Sequence, residues 1–225
     1  MIRVGITSDR FRDIATGYAG LGLDPVALPC IRIHAAPASV ITSARKAAAT
    51  ADLLVITSPR VVSLLWPAGG MPGVDSAVVG PSTASTVERA GGKVSVVGDA
   101  GLGRLVDSLA NRLAGRRVLI VHAEGSDPGA MRRLREMVPD LEESLVYRTS
   151  SVAPGNDRVD AVAFASPSAV RGWALSRDFD DVVVGVIGDT TAAAVSRHRA
   201  ADVVAPQPTH RALARAIASF MEVNV

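Results

Sequence analysis

Two stretches of this chain repeat at one fixed spacing, and that spacing constrains the fold more than any other feature. Val55-Ile56-Thr57-Ser58-Pro59 returns as Ala163-Phe164-Ala165-Ser166-Pro167, and Val79-Gly80-Pro81-Ser82-Thr83-Ala84 returns as Ile187-Gly188-Asp189-Thr190-Thr191-Ala192. Each pair is offset by 108 residues, as are Leu105 and Leu213 one helix further on. A constant offset over such a length implies two copies of one supersecondary unit. A chain of 225 residues divides naturally into two such copies. Two like lobes create a cleft, which is the expected place for a ligand.

The pattern inside each copy is α/β. Short apolar runs suited to strands covered on both faces fall at 2–6, 24–28, 53–57, 76–79, 94–97, 117–121, 159–164, 182–187 and 202–205. Stretches with helical spacing separate most of them, such as the stripe Leu105, Leu109, Leu113 and the looser set Met131, Leu134, Arg135, Val138. Alternation of this kind predicts parallel sheets flanked by helices. The segments outside the offset also match each other: Arg3-Val4-Gly5-Ile6-Thr7 with Leu23–Leu28, and Arg117-Val118-Leu119-Ile120-Val121 with Leu141–Val146. Lobe 1 is therefore expected from 1–34 plus 152–225 and lobe 2 from 37–147, with crossings near 30–37 and 147–154.

Helix starts are the most legible local signals. Ser58-Pro59, Ser166-Pro167 and Asp127-Pro128 each place a capping oxygen before a proline at the first helical position, where its missing N–H costs nothing. Gly80 and Gly188 end strands and lead into helices opened by Ser82-Thr83 and Asp189-Thr190-Thr191, with Ser82 and Asp189 expected to cap. Small hydroxyls and free helix N–H groups then share the carboxyl edge of each sheet, where open α/β sheets bind ligands and anions are favoured.

Composition narrows the alternatives. Hydrophobic residues make up 48% and aromatic residues 4%, so the cores are aliphatic and the chain is globular. No apolar run reaches the roughly 20 residues of a membrane helix, and charged residues close behind Ile6 exclude a signal-peptide core; no membrane role and a cytoplasmic location are expected. Cys30 is alone, and His34, His122, His198 and His210 lack ligand spacing, so no metal is expected. Net charge is +2, and all but Lys46 and Lys93 of the 24 basic residues are arginine. Guanidinium forks suit carboxylates and phosphates, but no basic run with interleaved aromatics points to nucleic acid. Glu142-Glu143 reads as a solvated strand edge, and Gly101-Leu102-Gly103 as a turn.

Together the motifs resemble the uroporphyrinogen-III synthase family. The resemblance rests on Thr57-Ser58-Pro59-Arg60-Val61-Val62, Val79-Gly80-Pro81-Ser82-Thr83-Ala84, Val146-Tyr147-Arg148-Thr149, Phe164-Ala165-Ser166-Pro167-Ser168-Ala169-Val170 and Ile187-Gly188-Asp189-Thr190-Thr191-Ala192, in that order. It implies two α/β lobes joined by a two-stranded linker, with hydroxymethylbilane in the cleft and no cofactor. The family's reaction removes the ring A hydroxyl to give an azafulvene, which the substituted carbon of ring D attacks. A spiro intermediate then fragments and recloses with ring D inverted. Carried over to this chain, Tyr147 would assist hydroxyl departure. Thr7, Arg10, Ser58, Gly80, Ser82, Thr83, Ser166, Ser168, Gly188, Thr190 and Thr191 would hold the carboxylate arms of the substrate. A monomer that receives its substrate by transient hand-over from hydroxymethylbilane synthase is expected.

Two loops differ from the family pattern. The first strand ends Thr7-Ser8-Asp9-Arg10 rather than Thr-Arg-Pro, and His122 stands where an arginine is usual, near Glu124. A catalytically silent module of the same fold that senses a tetrapyrrole or other polycarboxylate is the alternative these differences favour. Members of that kind carry an appended winged-helix DNA-binding domain, for which the sequence read to Val225 leaves no room. A periplasmic-type binding protein is opposed by the missing signal peptide.

Overall fold

The structure, a computed structural model, describes residues 1–99 and 101–224. The chain divides into two compact units, one of Met1–Ile33 with Thr149–Val225 and one of His34–Arg148. It passes from one to the other twice, along β3 (Ile31–Ala35) and β8 (Glu142–Ser151).

In unit 1 the strands are β1 (Arg3–Ile6), β2 (Asp24–Ala27), β9 (Ala161–Phe164), β10 (Val183–Val186) and β11 (Val203–Val204), in the spatial order β11-β10-β9-β1-β2. Every neighbouring pair is parallel. Helices α1 (Phe11–Ala19) and α9 (His210–Asn224) contribute to one apolar cluster with Val4, Ile6, Ala161 and Ala163. Helices α7 (Pro167–Trp173) and α8 (Asp189–Val195) contribute to another with Leu28, Val162, Phe164 and Val184. Because successive strand residues point to opposite faces, Ala161 and Ala163 serve the first cluster and Val162 and Phe164 the second.

Unit 2 repeats the plan with its chain order rotated. Its strands β4 (Leu53–Ile56), β5 (Asp75–Val78), β6 (Lys93–Val97) and β7 (Val118–Ala123) lie with β8 and β3 in the order β3-β8-β7-β4-β5-β6. The pairs from β8 to β6 are parallel. The bonds from Ala36 N to Val146 O and from Val152 N to Cys30 O show numbering that falls on one strand as it rises on the other, so β3 edges β8 antiparallel. Leu53, Leu54, Val55 and Ile56 are all buried, as a strand covered on both faces requires. Full burial of such side chains stabilises by about 1.5–3 kcal/mol each. Helices α2 (Ala38–Thr50), α3 (Pro59–Leu65), α4 (Pro81–Arg89), α5 (Gly101–Leu109) and α6 (Pro128–Met137) accompany the sheet, with a short 3-10 turn at Ala110–Arg112. The Leu105, Leu109, Leu113 stripe packs with Met131, Leu134 and Val138 in one cluster.

All nine sequence-predicted strands are present within one or two residues at most ends. β4 and β9 differ by 108 at both ends, as do β5 and β10 and the starts of α3 and α7. The likeness breaks at one close approach in unit 1. Gly172 of α7 lies against backbone, and a Cβ there would stand 2.7 Å from Val152 O, 2.9 Å from the Cys30 carbonyl carbon and nearer still to the Cys30 carbonyl oxygen. Position 64, its counterpart 108 residues earlier, holds a half-buried leucine. Among the described residues no helix is long and apolar enough to cross a membrane.

Candidate active site

In both sheets the strands β4, β5, β9 and β10 end on loops that turn into a helix, and the sequence builds these turns the same way twice. Ser58 has φ −164° and ψ 157°, and Ser166 has φ −164° and ψ 155°. Each accepts a bond from the third helical residue, Val61 N to Ser58 Oγ at 3.4 Å and Ala169 N to Ser166 Oγ at 3.2 Å. Pro59 and Pro167 open the helices behind them, and Asp127 caps α6 through Gly129 N at 2.9 Å and Ala130 N at 3.1 Å.

The second pair of turns departs from expectation. The N-caps of α4 and α8 are Gly80 and Gly188, and neither helix has a side-chain cap, so Ser82 and Asp189 do not cap. Those residues lie inside the helix, one position beyond or at its first residue, where their oxygens cannot fold back onto the N–H groups that need them. The glycines are fully extended, with φ 172° and 168°, a conformation open to any residue. A Cβ on Gly188 would meet nothing within 4 Å, and one on Gly80 only Gly98 O at 4.0 Å. Neither packing nor backbone geometry calls for glycine there. What glycine gives is room beside uncapped N–H groups that attract negative charge.

The two copies are not electrostatically equal. α8 begins with exposed Asp189 where α4 has Pro81, and that carboxylate opposes an incoming anion. Ser82 and Thr190 are exposed, whereas Thr83 and Thr191 are only 2% and 3% exposed. Thr7 is wholly buried, and its hydroxyl donates to Ala163 O at 2.7 Å, tying β1 to β9. Arg10 is exposed and paired with Asp13 at 2.8 Å. Ser168 receives a bond from Arg171 at 2.8 Å, and its carbonyl accepts from Ser151 at 2.8 Å.

Unit 2 brings two predicted residues together. The Tyr147 hydroxyl lies 3.1 Å from Ser58 Oγ, and the Arg60 guanidinium stands 5.9 Å from the centre of the Tyr147 ring. Tyr147 is on β8 and 9% exposed, so its ring is packed while its hydroxyl reaches the start of α3. Ser58 Oγ already accepts from Val61 N, which frees its own proton for Tyr147. Arg60 belongs to the Thr57–Val62 motif, but sequence reasoning gives it no role. Its place two residues after the capping serine, in the first turn, is the available signal.

On the adjoining strand β7, His122 is 9% exposed, and its Nδ1 is 3.1 Å from Ala123 O. Burial lowers its pKa, so the ring favours the neutral form. Glu143 pairs with Arg135 through contacts of 2.5 and 2.8 Å, which hold its carboxyl below the usual range. That makes Glu142-Glu143 a strand edge with one paired acid. Among the described residues no group of three or more His, Cys, Asp or Glu side chains is placed to hold a metal ion.

Fold and site define a class: an α/β protein with two sheets built on like parallel cores, whose carboxyl edges gather hydroxyls, glycines and helix N–H groups suited to an anionic small molecule. The chain belongs to the uroporphyrinogen-III synthase family, since the family model for uroporphyrinogen-III synthase HemD matches residues 12–215. This is a family of cyclising lyases of haem and porphyrin biosynthesis. A crystal structure of a mutant uroporphyrinogen III synthase from Thermus thermophilus is similar at 18% identity and a TM-score of 0.63, over 99% of this chain and 100% of that one. The synthase structure from Helicobacter pylori is similar at 16% identity and a TM-score of 0.67, over 97% and 99%. No curated protein sequence matches the chain.

Proposed function

We propose that this chain cyclises hydroxymethylbilane to uroporphyrinogen III with Tyr147 as the group that assists departure of the ring A hydroxyl. The observation that carries this reading is the Tyr147–Ser58 pair at 3.1 Å. With Ser58 accepting from Val61 N and donating to Tyr147 Oη, the phenol proton is left to point outward at a leaving oxygen. As that hydroxyl leaves as water, negative charge gathers on Tyr147 Oη, where the Ser58 donor and the nearby Arg60 charge stabilise it. Ring D then attacks the azafulvene through its substituted carbon, the spiro intermediate reopens and recloses, and the proton released as the new pyrrole linkage rearomatises restores the Tyr147 phenol. The protein's task in these steps is to hold the chain of rings in the geometry for inversion.

The carboxylate arms are assigned to the carboxyl edges of the two sheets. Gly80 and Ser82 at the start of α4 suit one arm best, because no acid stands there. Gly188, Thr190, Ser166 and Ser168 supply the matching edge of unit 1, with Asp189 weakening it. Thr83 and Thr191 would contribute only the small part of each side chain that is exposed. Thr7 and Arg10 are the weakest candidates, their polar groups being bonded to Ala163 O and Asp13. The same reading has a monomer working in the cytoplasm, supplied by hydroxymethylbilane synthase.

Hydroxymethylbilane closes unaided to the uninverted isomer I, so the decisive assay is the product ratio. The pure chain, fed by a hydroxymethylbilane source, is expected to divert product to isomer III. Tyr147→Phe is expected to slow that diversion while leaving product affinity nearly unchanged, since the ring packing survives. Isomer I alone from the wild-type chain would overturn the enzyme reading. Equal activity in Tyr147→Phe would remove Tyr147 from the mechanism and leave the enzyme reading standing.

A further inference from the structure

In unit 1, α1 and α9 flank a cavity of about 470 Å³ whose lining includes Asp13, Gly17, Tyr18, His210, Arg211 and Arg215. Its walls contain two anomalies. Tyr18 is wholly buried, yet its hydroxyl has no hydrogen-bond partner, and His210 Nδ1 is likewise buried without one, among the described residues. A buried polar atom without a partner is costly, so two among the residues lining one cavity mark a place where a partner belongs.

The chemistry of that partner follows from the groups around it. Tyr18 offers a phenol proton, and burial raises its pKa well above the usual value, so it stays a donor. Arg211 and Arg215, four residues apart on α9, share a helix face and bring planar donors that cannot accept. His210 is held toward its neutral form first by burial and next by the charge of Arg10. Asp13 is the one acid in the lining, and its carboxylate is already taken by Arg10 at 2.8 Å. The surroundings are therefore cationic and rich in donors, which disfavours a cation and suits anionic oxygens. The floor is open as well: a Cβ on Gly17 would meet nothing within 4 Å.

We propose that the α1–α9 cavity of unit 1 binds a small molecule bearing a phosphate or carboxylate group, held by Arg211 and Arg215 and completed by Tyr18 and His210. The volume falls in the range of small-molecule pockets, about 300–1,000 Å³.

The test is titration of the full ¹⁵N-labelled chain with inorganic phosphate in one arm and succinate in the other. Amide shifts at Gly17, Tyr18 and His210–Arg215 should saturate together, and the arm that binds more tightly identifies the source of the oxyanion. Arg211→Gln combined with Arg215→Gln should raise Kd at least about tenfold, the loss expected from charge-assisted bonds. Gly17→Leu removes no charge but fills the open floor, and it should abolish the same shifts. The proposal is overturned if neither probe moves these amides before exposed arginines elsewhere respond. Binding unchanged in Gly17→Leu would overturn it too, since the anion would then lie outside the cavity.

Discussion

Replacing Gly172 by alanine sets two effects of opposite sign against each other. In an ordinary helix interior the change is favourable by about 1 kcal/mol, because alanine has less backbone freedom to lose. In α7 the added Cβ would stand 2.7 Å from Val152 O and 2.9 Å from the Cys30 carbonyl carbon. Both belong to backbone pinned by the Val152 N to Cys30 O bond of 2.9 Å, so they cannot swing aside as a side chain would. Overpacking costs about 1–3 kcal/mol, with the upper end expected against backbone, and stretching that bond adds roughly 1 kcal/mol. Subtracting the helical gain leaves a net loss of about 2–3 kcal/mol. Urea unfolding followed by the fluorescence of Trp173, buried beside the substitution, would read it. Gly17→Ala is the control: Gly17 is exposed in α1 with nothing near its missing Cβ, and the same substitution should stabilise by about 0.5–1 kcal/mol. A Gly172→Ala protein at least as stable as wild type would refute the close approach and the reasoning built on it.

Ser58→Ala removes both a helix cap and the Tyr147 bond, whereas Ser166→Ala removes only a cap, so the former should cost about 1 kcal/mol more in chemical denaturation. Equal losses would mean that the Tyr147 bond adds nothing to the fold. Gly80→Ala and Gly188→Ala should leave stability within about 0.5 kcal/mol, yet each methyl would crowd an uncapped helix start. Isomer III formation should fall in both, and unchanged product ratios would clear these starts of any part in binding. His122 and His210 have folded pKa values below the ordinary 6.5, so below about pH 6.5 the unfolded chain takes up protons that the folded chain refuses. Stability should decline from that point, with a further loss at lower pH as Glu143 is protonated through its depressed pKa; a urea midpoint flat from pH 7 to 5 would contradict the burial of both rings.

What the residues disclose in advance is whatever is encoded locally. Ser58-Pro59 and Ser166-Pro167 announce helix starts because the cap, the proline and the following turn are contiguous, and the repeat lets each copy check the other. Thr83 and Thr191 lie at the third helical position, so their types suggest ligand contacts while their burial depends on packing the sequence does not print. Ser82 and Asp189 resemble caps in the sequence, but an extra residue of strand end, Gly80 or Gly188, takes that position. β3 reads only as a crossing, since Ile31–Ala35 is short and bracketed by Pro29 and Pro37. The Tyr147–Ser58 pair spans 89 residues, and the cavity wall shared by Tyr18 and His210 spans more, so no local pattern carries either. Gly172 shows the limit of reasoning from repeats. Its counterpart is a half-buried leucine, and the Cys30 and Val152 backbone that crowds position 172 leaves no mark on the repeat pattern.

The rotated chain order has a cost during synthesis. β1 sits inside its sheet, paired with β2 on one side through Val4 and Pro25 and with β9 on the other through Val4 and Ala161. The first partner leaves the ribosome almost at once, but the second follows 161 − 4 = 157 residues later. At about 5–20 residues per second the open side of β1 waits roughly ten to thirty seconds, while His34–Arg148 emerges as one unbroken stretch and can close on itself. A strand with an unpaired edge is a template for wrong partners, so the nascent N-terminal segment is the part of this chain most in need of shelter by a chaperone.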